Sequence, residues 1–273
     1  MDVYHAFHLD TKEDIIIAFL AEWGFESFVE DDTKTIAYIS DQELNNHKSE
    51  IENYLTAKSI KYTTEEIQPQ NWNALWEESF QPVIVDNFCI VRADFHKTLP
   101  AVKYDLIIQP KMAFGTGHHA TTYMMIQNMQ FLNFTDKVVF DYGAGTGILA
   151  ILAAKLGCKR VDALDIDRES IENIQENTLK NNVSGVVPLL GTLEAIKGKK
   201  TYDIILANIN RNILLKSAER LNELLKNEGF IMLSGILTED IDTVVEKYTT
   251  TGFLLDKISN ENNWSCLLFH KTS

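Results

Sequence analysis

Three short stretches combine residue types and spacings suited to chemistry. The first is Val138-Val-Phe-Asp-Tyr-Gly-Ala-Gly-Thr-Gly147, where glycines alternate at Gly143, Gly145 and Gly147 behind Asp141. A tight glycine turn lets a ligand approach the bare backbone. The spacing is G-x-G-x-G after an acidic residue, not the G-x-G-x-x-G of dinucleotide enzymes, and it points to S-adenosylmethionine (AdoMet). Gly143 and Gly145 would admit the methionine and ribose parts of that cofactor. Asp141 is a candidate for its α-ammonium, directly or through water. Asp165 lies 22 residues beyond Gly143, at a strand end where an acidic residue accepts hydrogen bonds from ribose hydroxyls. The other reading of Asp165 is a helix cap, for which Asp167 is better placed. Ile166, next to Asp165, is assigned to the same cofactor.

The second stretch is Phe114-Gly-Thr-Gly-His-His-Ala-Thr-Thr122, loop-like at first and then a helix start with Thr121 or a neighbour as cap. Helix N-termini carry unpaired N–H groups suited to a carboxylate such as that of methionine. The loop residues Phe114, Gly115, Thr116 and Gly117 are candidate cofactor contacts. His118 and His119 are adjacent, so their side chains diverge, and no carboxylate stands at ligand spacing; no metal is expected. His119 is the candidate for orienting cofactor or substrate. The third stretch is Leu206-Ala-Asn-Ile-Asn210, directly after a strand. The Asn208 amide could accept a hydrogen bond from an attacking amine during an in-line methyl transfer, which needs alignment and an unprotonated nucleophile. The alternative is a loop asparagine satisfied by backbone.

These stretches need a scaffold, and the hydrophobic pattern supplies one. Val138 to Phe140 reads as a buried strand, and Ile148 to Leu156 as a buried helix of good helix formers. Strand–helix alternation continues through Arg160 to Leu164, Arg168 to Asn181, Val186 to Leu190, Tyr202 to Ala207, Ile213 to Lys226, Gly229 to Ser234 and Thr238 to Thr249. Two successive strands, Phe253 to Ile258 and Ser265 to His270, close the chain. The pattern predicts an α/β fold: a seven-stranded, mostly parallel, doubly wound sheet with an antiparallel edge hairpin. Before it, Val83 to Val85 and Phe88 to Arg92 form a hairpin around Asp86-Asn87, followed by a strand at Tyr104 to Ile108 and a helix at Thr121 to Gln130.

The first 67 residues alternate differently. Val3 to Leu9 is strand-like, and a helix follows through Trp23 with Thr11 as N-cap. Strands at Phe28 to Glu30 and Thr35 to Ile39 flank a loop at 31–34; a helix at Asp41 to Thr56 and a strand at Lys61 to Ile67 complete β-α-β-β-α-β, the order of a small α+β ferredoxin-like domain. The expected organisation is a ferredoxin-like domain at 1–67, a linker at 68–81 with a helix placing Trp72, Trp76 and Phe80 on one face, and a cofactor domain at 82–273.

The chain of 273 residues is 45% hydrophobic and 23% charged, ordinary for a globular protein. Its net charge of −14 disfavours a nucleic-acid substrate and favours a basic protein partner. Cys89, Cys158 and Cys266 are isolated, which suits a reducing compartment. Neither a signal peptide nor a membrane span is legible, so a cytoplasmic protein with no membrane partner is expected.

Together the segments resemble the PrmA family, bacterial methyltransferases of large-subunit ribosomal protein eleven. The resemblance rests on Phe114-Gly-Thr-Gly-x-His-x-Thr-Thr122, Asp141-x-Gly-x-Gly-x-Gly147-Ile-Leu-Ala, Leu164-Asp-Ile-Asp167, Ala207-Asn-Ile209, Ser234-Gly-Ile-Leu237 and Trp264. The glycine motif alone indicates only a class I AdoMet-dependent methyltransferase. The segment ending at Thr122 is more specific. The match covers residues 70 to 270; the N-terminal part matches in topology and length. Ala120 stands where many members have proline, and Asn262-Asn263 where acidic residues are expected. The resemblance implies AdoMet contacts from Thr122, Gly143, Asp165 and Asn208, with S-adenosylhomocysteine as product. It implies methylation of lysine ε-amines and the N-terminal α-amine of that ribosomal protein by an enzyme whose ferredoxin-like domain binds substrate. A monomer is expected, and the choice between free protein and assembled large subunit is left open. The competing enzyme readings are methylation of glutamine or of a nucleobase. Those enzymes usually carry Asn-Pro-Pro-Tyr after this strand, where the present chain has Asn208-Ile-Asn-Arg211. A non-catalytic AdoMet-binding module would not need the intact second stretch.

Overall fold

The computed structural model describes residues 3–30, 34–67, 81–97, 102–109, 115–199 and 201–272. The expected linker helix with Trp72, Trp76 and Phe80, the loop residues 31–33, and Phe114 lie outside them. The chain divides into two compact units, Met1–Ser79 and Phe80–Ser273.

In the first unit, β1 (Tyr4–Leu9), α1 (Asp14–Glu22), β2 (Phe25–Glu30), β3 (Thr35–Ser40), α2 (Asp41–Ala57) and β4 (Tyr62–Ile67) follow the expected order. The strands form one antiparallel sheet, β2-β3-β1-β4. Phe7 and Leu9, two residues apart and so on one face of β1, meet Ile16 and Leu20 of α1 and Ile51 and Leu55 of α2 in a closed core. Ser40 caps α2 by accepting the Glu43 N–H at 3.3 Å. Thr11 is not the cap of α1. That position falls to Glu13, which makes no side-chain cap bond. The Thr11 carbonyl accepts the Thr35 hydroxyl at 2.8 Å, and this bond holds Thr11 to β3, outside the helix.

In the second unit, a three-stranded sheet is built from β5 (Val83–Val85), β6 (Cys89–Arg92) and β7 (Tyr104–Ile107). The main sheet follows: α3 (Ala120–Met129), β8 (Val138–Tyr142), α4 (Ile148–Lys155), β9 (Arg160–Asp165), α5 (Arg168–Lys180), β10 (Val186–Leu190), β11 (Tyr202–Asn208), α6 (Arg211–Leu224), β12 (Leu225–Leu237), α7 (Ile241–Thr250), β13 (Phe253–Glu261) and β14 (Trp264–Lys271). Its order is β10-β9-β8-β11-β12-β14-β13. The first five strands are parallel; β14 inserts between β12 and β13, antiparallel to both.

Both faces of this sheet are covered, which explains the unbroken apolar runs of its strands. On β8, Val139 faces a core with Met124, Met125 and Ile151, while its neighbour Phe140 faces the opposite core with Leu214, Leu221 and Tyr248. Several boundaries differ from the sequence reading. Helix α6 stops at Leu224, and Leu225 already pairs with Tyr202 as the first residue of a 13-residue β12. A single turn of 3-10 helix, Thr238–Asp240, precedes α7. Among the described residues no helix is long and apolar enough to cross a membrane.

Candidate active site

Strand order reverses between β8 and β11, and in doubly wound sheets ligands bind at that reversal, beyond the strands' carboxyl ends. A cavity of about 570 Å³ opens there, within the range of small-molecule sites. Its walls include Gly143 and Gly145 after β8, Asp165 and Ile166 at β9, Asn208 and Ile209 at β11, Gly235 in β12, His119 before α3, and Trp264.

Local chemistry fixes each wall. The Leu164 carbonyl accepts the Gly143 N–H at 2.8 Å and the Ala144 N–H at 3.0 Å, holding the glycine turn against β9. Asp165 Oδ2 accepts the Gly145 N–H at 2.8 Å, and Oδ1 accepts the Asp167 N–H at 3.0 Å. A carboxylate has about four lone-pair sites, so each oxygen retains acceptor capacity toward the cavity. The helix cap is Asp167, which accepts the Glu169 N–H at 3.0 Å. Ile166 is 73% exposed beside Asp165, an apolar side chain on the cavity wall.

Asn208 and Thr122 meet across 86 residues of sequence. The Asn208 amide N–H donates to Thr122 Oγ1 at 3.2 Å. Thr122 is fully buried and forms no part of the cavity wall; its neighbour Thr121 does. Asn208 Oδ1 is buried without a hydrogen-bond partner among the described residues. A buried unpaired carbonyl is costly, on the order of 1–3 kcal/mol, and this one belongs to a residue of the cavity wall. His119 Nδ1 caps α3 by accepting the Thr121 N–H at 3.3 Å, and its ring stands edge-on to Trp264 at 4.9 Å. His118 turns away, its Nε2 at 2.8 Å from the Gln81 carbonyl and its Nδ1 at 3.2 Å from Thr116 Oγ1. Among the described residues no group of three His, Cys, Asp or Glu side chains could hold a metal ion.

Other sequence-assigned residues stand behind the wall. The Gly115 carbonyl accepts the Thr146 hydroxyl at 2.7 Å, and Gly117 packs on Val91, so the loop through Gly115, Thr116 and Gly117 braces the glycine turn from outside the cavity. Asp141 is 1% exposed, beneath the turn, where its Oδ2 accepts the Ala150 N–H of α4 at 3.0 Å. Burial pushes its carboxyl up to about 7. Between the ordinary carboxylate value, about 4, and about 7, the folded chain keeps a proton that the unfolded chain releases. Stability should therefore fall as pH rises through that window, at most about 1.4 kcal/mol per pH unit. Asp141→Asn keeps an acceptor and removes the titration. Urea midpoints at pH 5 and pH 8 should differ less in this variant than in the parent; an equal difference in both would dismiss Asp141 as the source.

Sequence reasoning missed Ile209 and Gly235 as wall residues, and they are joined. At Gly143 (φ +74°) an added Cβ would run into Cγ2 of Ile209; at Gly235 (φ +83°) it would lie 2.8 Å from the Ile209 carbonyl carbon and 3.1 Å from its nitrogen. The space beside both glycines is thus taken by one residue, the neighbour of Asn208. The Ile209 N–H donates to the Ser234 carbonyl at 3.2 Å, completing the clamp. Only the tertiary fold brings these loops together. The local signal was a glycine next to the end of each strand.

A sequence model of the family described as ribosomal protein L11 methyltransferase (PrmA) matches residues 10–272. The chain belongs to the PrmA family. Its PrmA relative from Porphyromonas gingivalis, a ribosomal protein L11 methyltransferase, is 40% identical over 265 residues, 96% of this chain and 91% of that one. The Chlorobaculum tepidum relative of the same name is 36% identical over 269 residues, 95% of this chain and 93% of that one. The solved ribosomal protein L11 methylase of Lactobacillus delbrueckii subsp. bulgaricus superposes with a TM-score of 0.64 at 26% identity, over 71% of this chain and 100% of that one. A methyltransferase from Pyrococcus furiosus, 19% identical with a TM-score of 0.53 over 62% of this chain and 90% of that one, shares the fold. Membership in PrmA makes the chain an AdoMet-dependent methyltransferase with a class I fold.

Proposed function

We propose that this enzyme methylates lysine ε-amines and the N-terminal α-amine of ribosomal protein L11, free or in the assembled large subunit, as a cytoplasmic monomer. The carrying observation is Asn208, a residue of the cavity wall whose carbonyl oxygen is buried without a partner among the described residues, in a chain of the PrmA family. AdoMet, when bound, supplies an electrophilic methyl group on a sulfonium. Asp165 would accept hydrogen bonds from the ribose hydroxyls with the acceptor capacity it retains. Ile166 offers its exposed apolar side chain to the adenosyl portion, and the turn through Gly143 and Gly145 borders the amino-acid portion. Asn208 Oδ1 would accept an N–H of the incoming unprotonated amine and so orient its nitrogen lone pair for attack. Thr122, by accepting the Asn208 N–H, decides which end of the amide faces the amine. His119 and Trp264, edge to face, form the wall against which the amine is oriented. The first unit recruits the protein substrate.

The test is incubation with radiolabelled AdoMet and unmethylated ribosomal proteins, followed by mass spectrometry. Label on lysine or α-amine nitrogen of L11 is expected. Label on glutamine, on RNA or on another protein would overturn the substrate reading.

A further inference from the structure

Asn177 on α5 and Asn181 at its C-terminal cap reach the same strand edge and use their amides differently. Ile108 turns its N–H from the end of β7 to β6, where the Arg92 carbonyl accepts it at 2.8 Å. Ile107 and Gln109 therefore present their N–H groups on the opposite side, where β7 is the last strand of its sheet. The two asparagines stand in for a neighbour there. Asn181 closes on one residue: Oδ1 accepts the Ile107 N–H at 3.0 Å and Nδ2 donates to the Ile107 carbonyl at 2.6 Å. That is the reciprocal pair a facing antiparallel strand would make. Asn177 Oδ1 accepts the Gln109 N–H at 2.9 Å, but its Nδ2 donates to the Thr146 carbonyl, also at 2.9 Å. Asn181 anchors a strand. Asn177 splices the end of that strand to the glycine turn.

The splice is fully buried at both residues, and neither belongs to the cavity wall. Asn173 Oδ1 takes the second Nδ2 hydrogen of Asn177 at 2.9 Å, although Asn173 Nδ2 is itself buried without a partner among the described residues. The α4 ladder does not use the Thr146 carbonyl; its first acceptor is the next carbonyl, of Gly147, which takes the Ile151 N–H at 2.8 Å. Thr146 is gripped a second time through its hydroxyl, which donates to the Gly115 carbonyl at 2.7 Å. Gly145 and Gly147 flank it, both at positive φ, and a glycine backbone this free needs anchors from outside. We propose that Asn177 and Thr146 are positioning residues for the cofactor. From behind the wall they set the turn that carries Gly145, and they hold against it the loop leading to His119 and Thr121. The proposal rests on the assignment of the cavity to AdoMet and adds two residues that touch no ligand. A turn set in advance spares binding the cost of ordering it.

The test is AdoMet titration calorimetry on the full chain, with urea midpoints taken on the same samples. Asn177→Ala and Asn181→Ala remove the same side chain one helical turn apart, and each leaves strand groups unpaired, so both should lower the urea midpoint. Only Asn177→Ala should raise the AdoMet Kd, at least tenfold, with Asn181→Ala within twofold of the parent. Thr146→Val removes the hydroxyl at nearly constant shape and should raise Kd at least fivefold. Thr146→Ser keeps the hydroxyl and should restore Kd to within twofold. A Kd in Asn177→Ala no higher than in Asn181→Ala would make both asparagines strand anchors and overturn the proposal. A parent-like Kd in Thr146→Val would overturn it too, and this arm decides even where an asparagine variant does not fold. A parent that binds no AdoMet would overturn the cofactor assignment together with the proposal. Every other outcome leaves the reading of L11 as substrate standing.

Discussion

Asn208→Ala is expected to lower the single-turnover rate of methyl transfer about 100-fold, the scale of losing alignment at a reacting centre. The effect should exceed that of other single changes around the cavity because Asn208 combines two properties. Its N–H is committed to Thr122 Oγ1 at 3.2 Å, which fixes the amide, and its carbonyl is buried without a partner among the described residues. The free protein already carries the cost of that unpaired oxygen, so an amine that reaches it relieves the cost. Removing the amide loses one hydrogen bond, to Thr122 Oγ1, and relieves one unpaired buried oxygen, so the two changes offset in the free chain. The variant should accordingly melt close to the parent, which separates a chemical defect from a folding one. A variant within threefold of the parent rate would remove Asn208 from the reaction.

The second large effect is expected at Asp165. Asp165→Ala should weaken AdoMet binding by about 1.5–3 kcal/mol, the scale of hydrogen bonds to a charged group, or roughly 10- to 100-fold in Kd. Part of that loss is direct, through the ribose. Part is indirect, because Asp165 also accepts the N–H groups of Gly145 and Asp167 and so ties the glycine turn to the start of α5. Asp165→Asn separates the two, since one oxygen survives and the charge does not. Its loss should be smaller than that of alanine. Calorimetry showing unchanged affinity in Asp165→Ala would sink the ribose assignment.

Much of the fold was legible because it is locally encoded. Val139 and Phe140 are apolar neighbours on a strand, and only a sheet covered on both faces asks for that. The βαββαβ order of the first unit followed from switches between periods of two and 3.6. The antiparallel edge hairpin of β13 and β14 was legible as two successive strands, but which of the two joins β12 was not. Nothing in Trp264–Lys271 announces that β14 lies between β12 and β13, since that choice depends on which strands offer free edges when it docks. Capping was partly legible: Asp167 is read correctly from its place before α5, whereas Thr11 is drawn from α1 by a bond to Thr35, which is distant in sequence. At the site, Asp165, Gly143, Gly145, Ile166, His119 and Asn208 do gather around one cavity. The buried positions of Asp141 and Thr122 depend on depth beneath the wall, and a motif carries no information about depth.

The clamp on Ile209 has an evolutionary consequence that differs between its two jaws. At Gly143 the obstacle to a larger residue is a methyl group of the Ile209 side chain, whereas at Gly235 it is the Ile209 backbone itself. Positions 143 and 209 can therefore drift as a pair: alanine at one becomes accessible, at the strain of a positive φ, once the other has shrunk. No choice of residue at 209 creates room at 235. Across descendants of this sequence, 143 and 209 should co-vary, and 235 should stand invariant and statistically silent, although it touches the same residue.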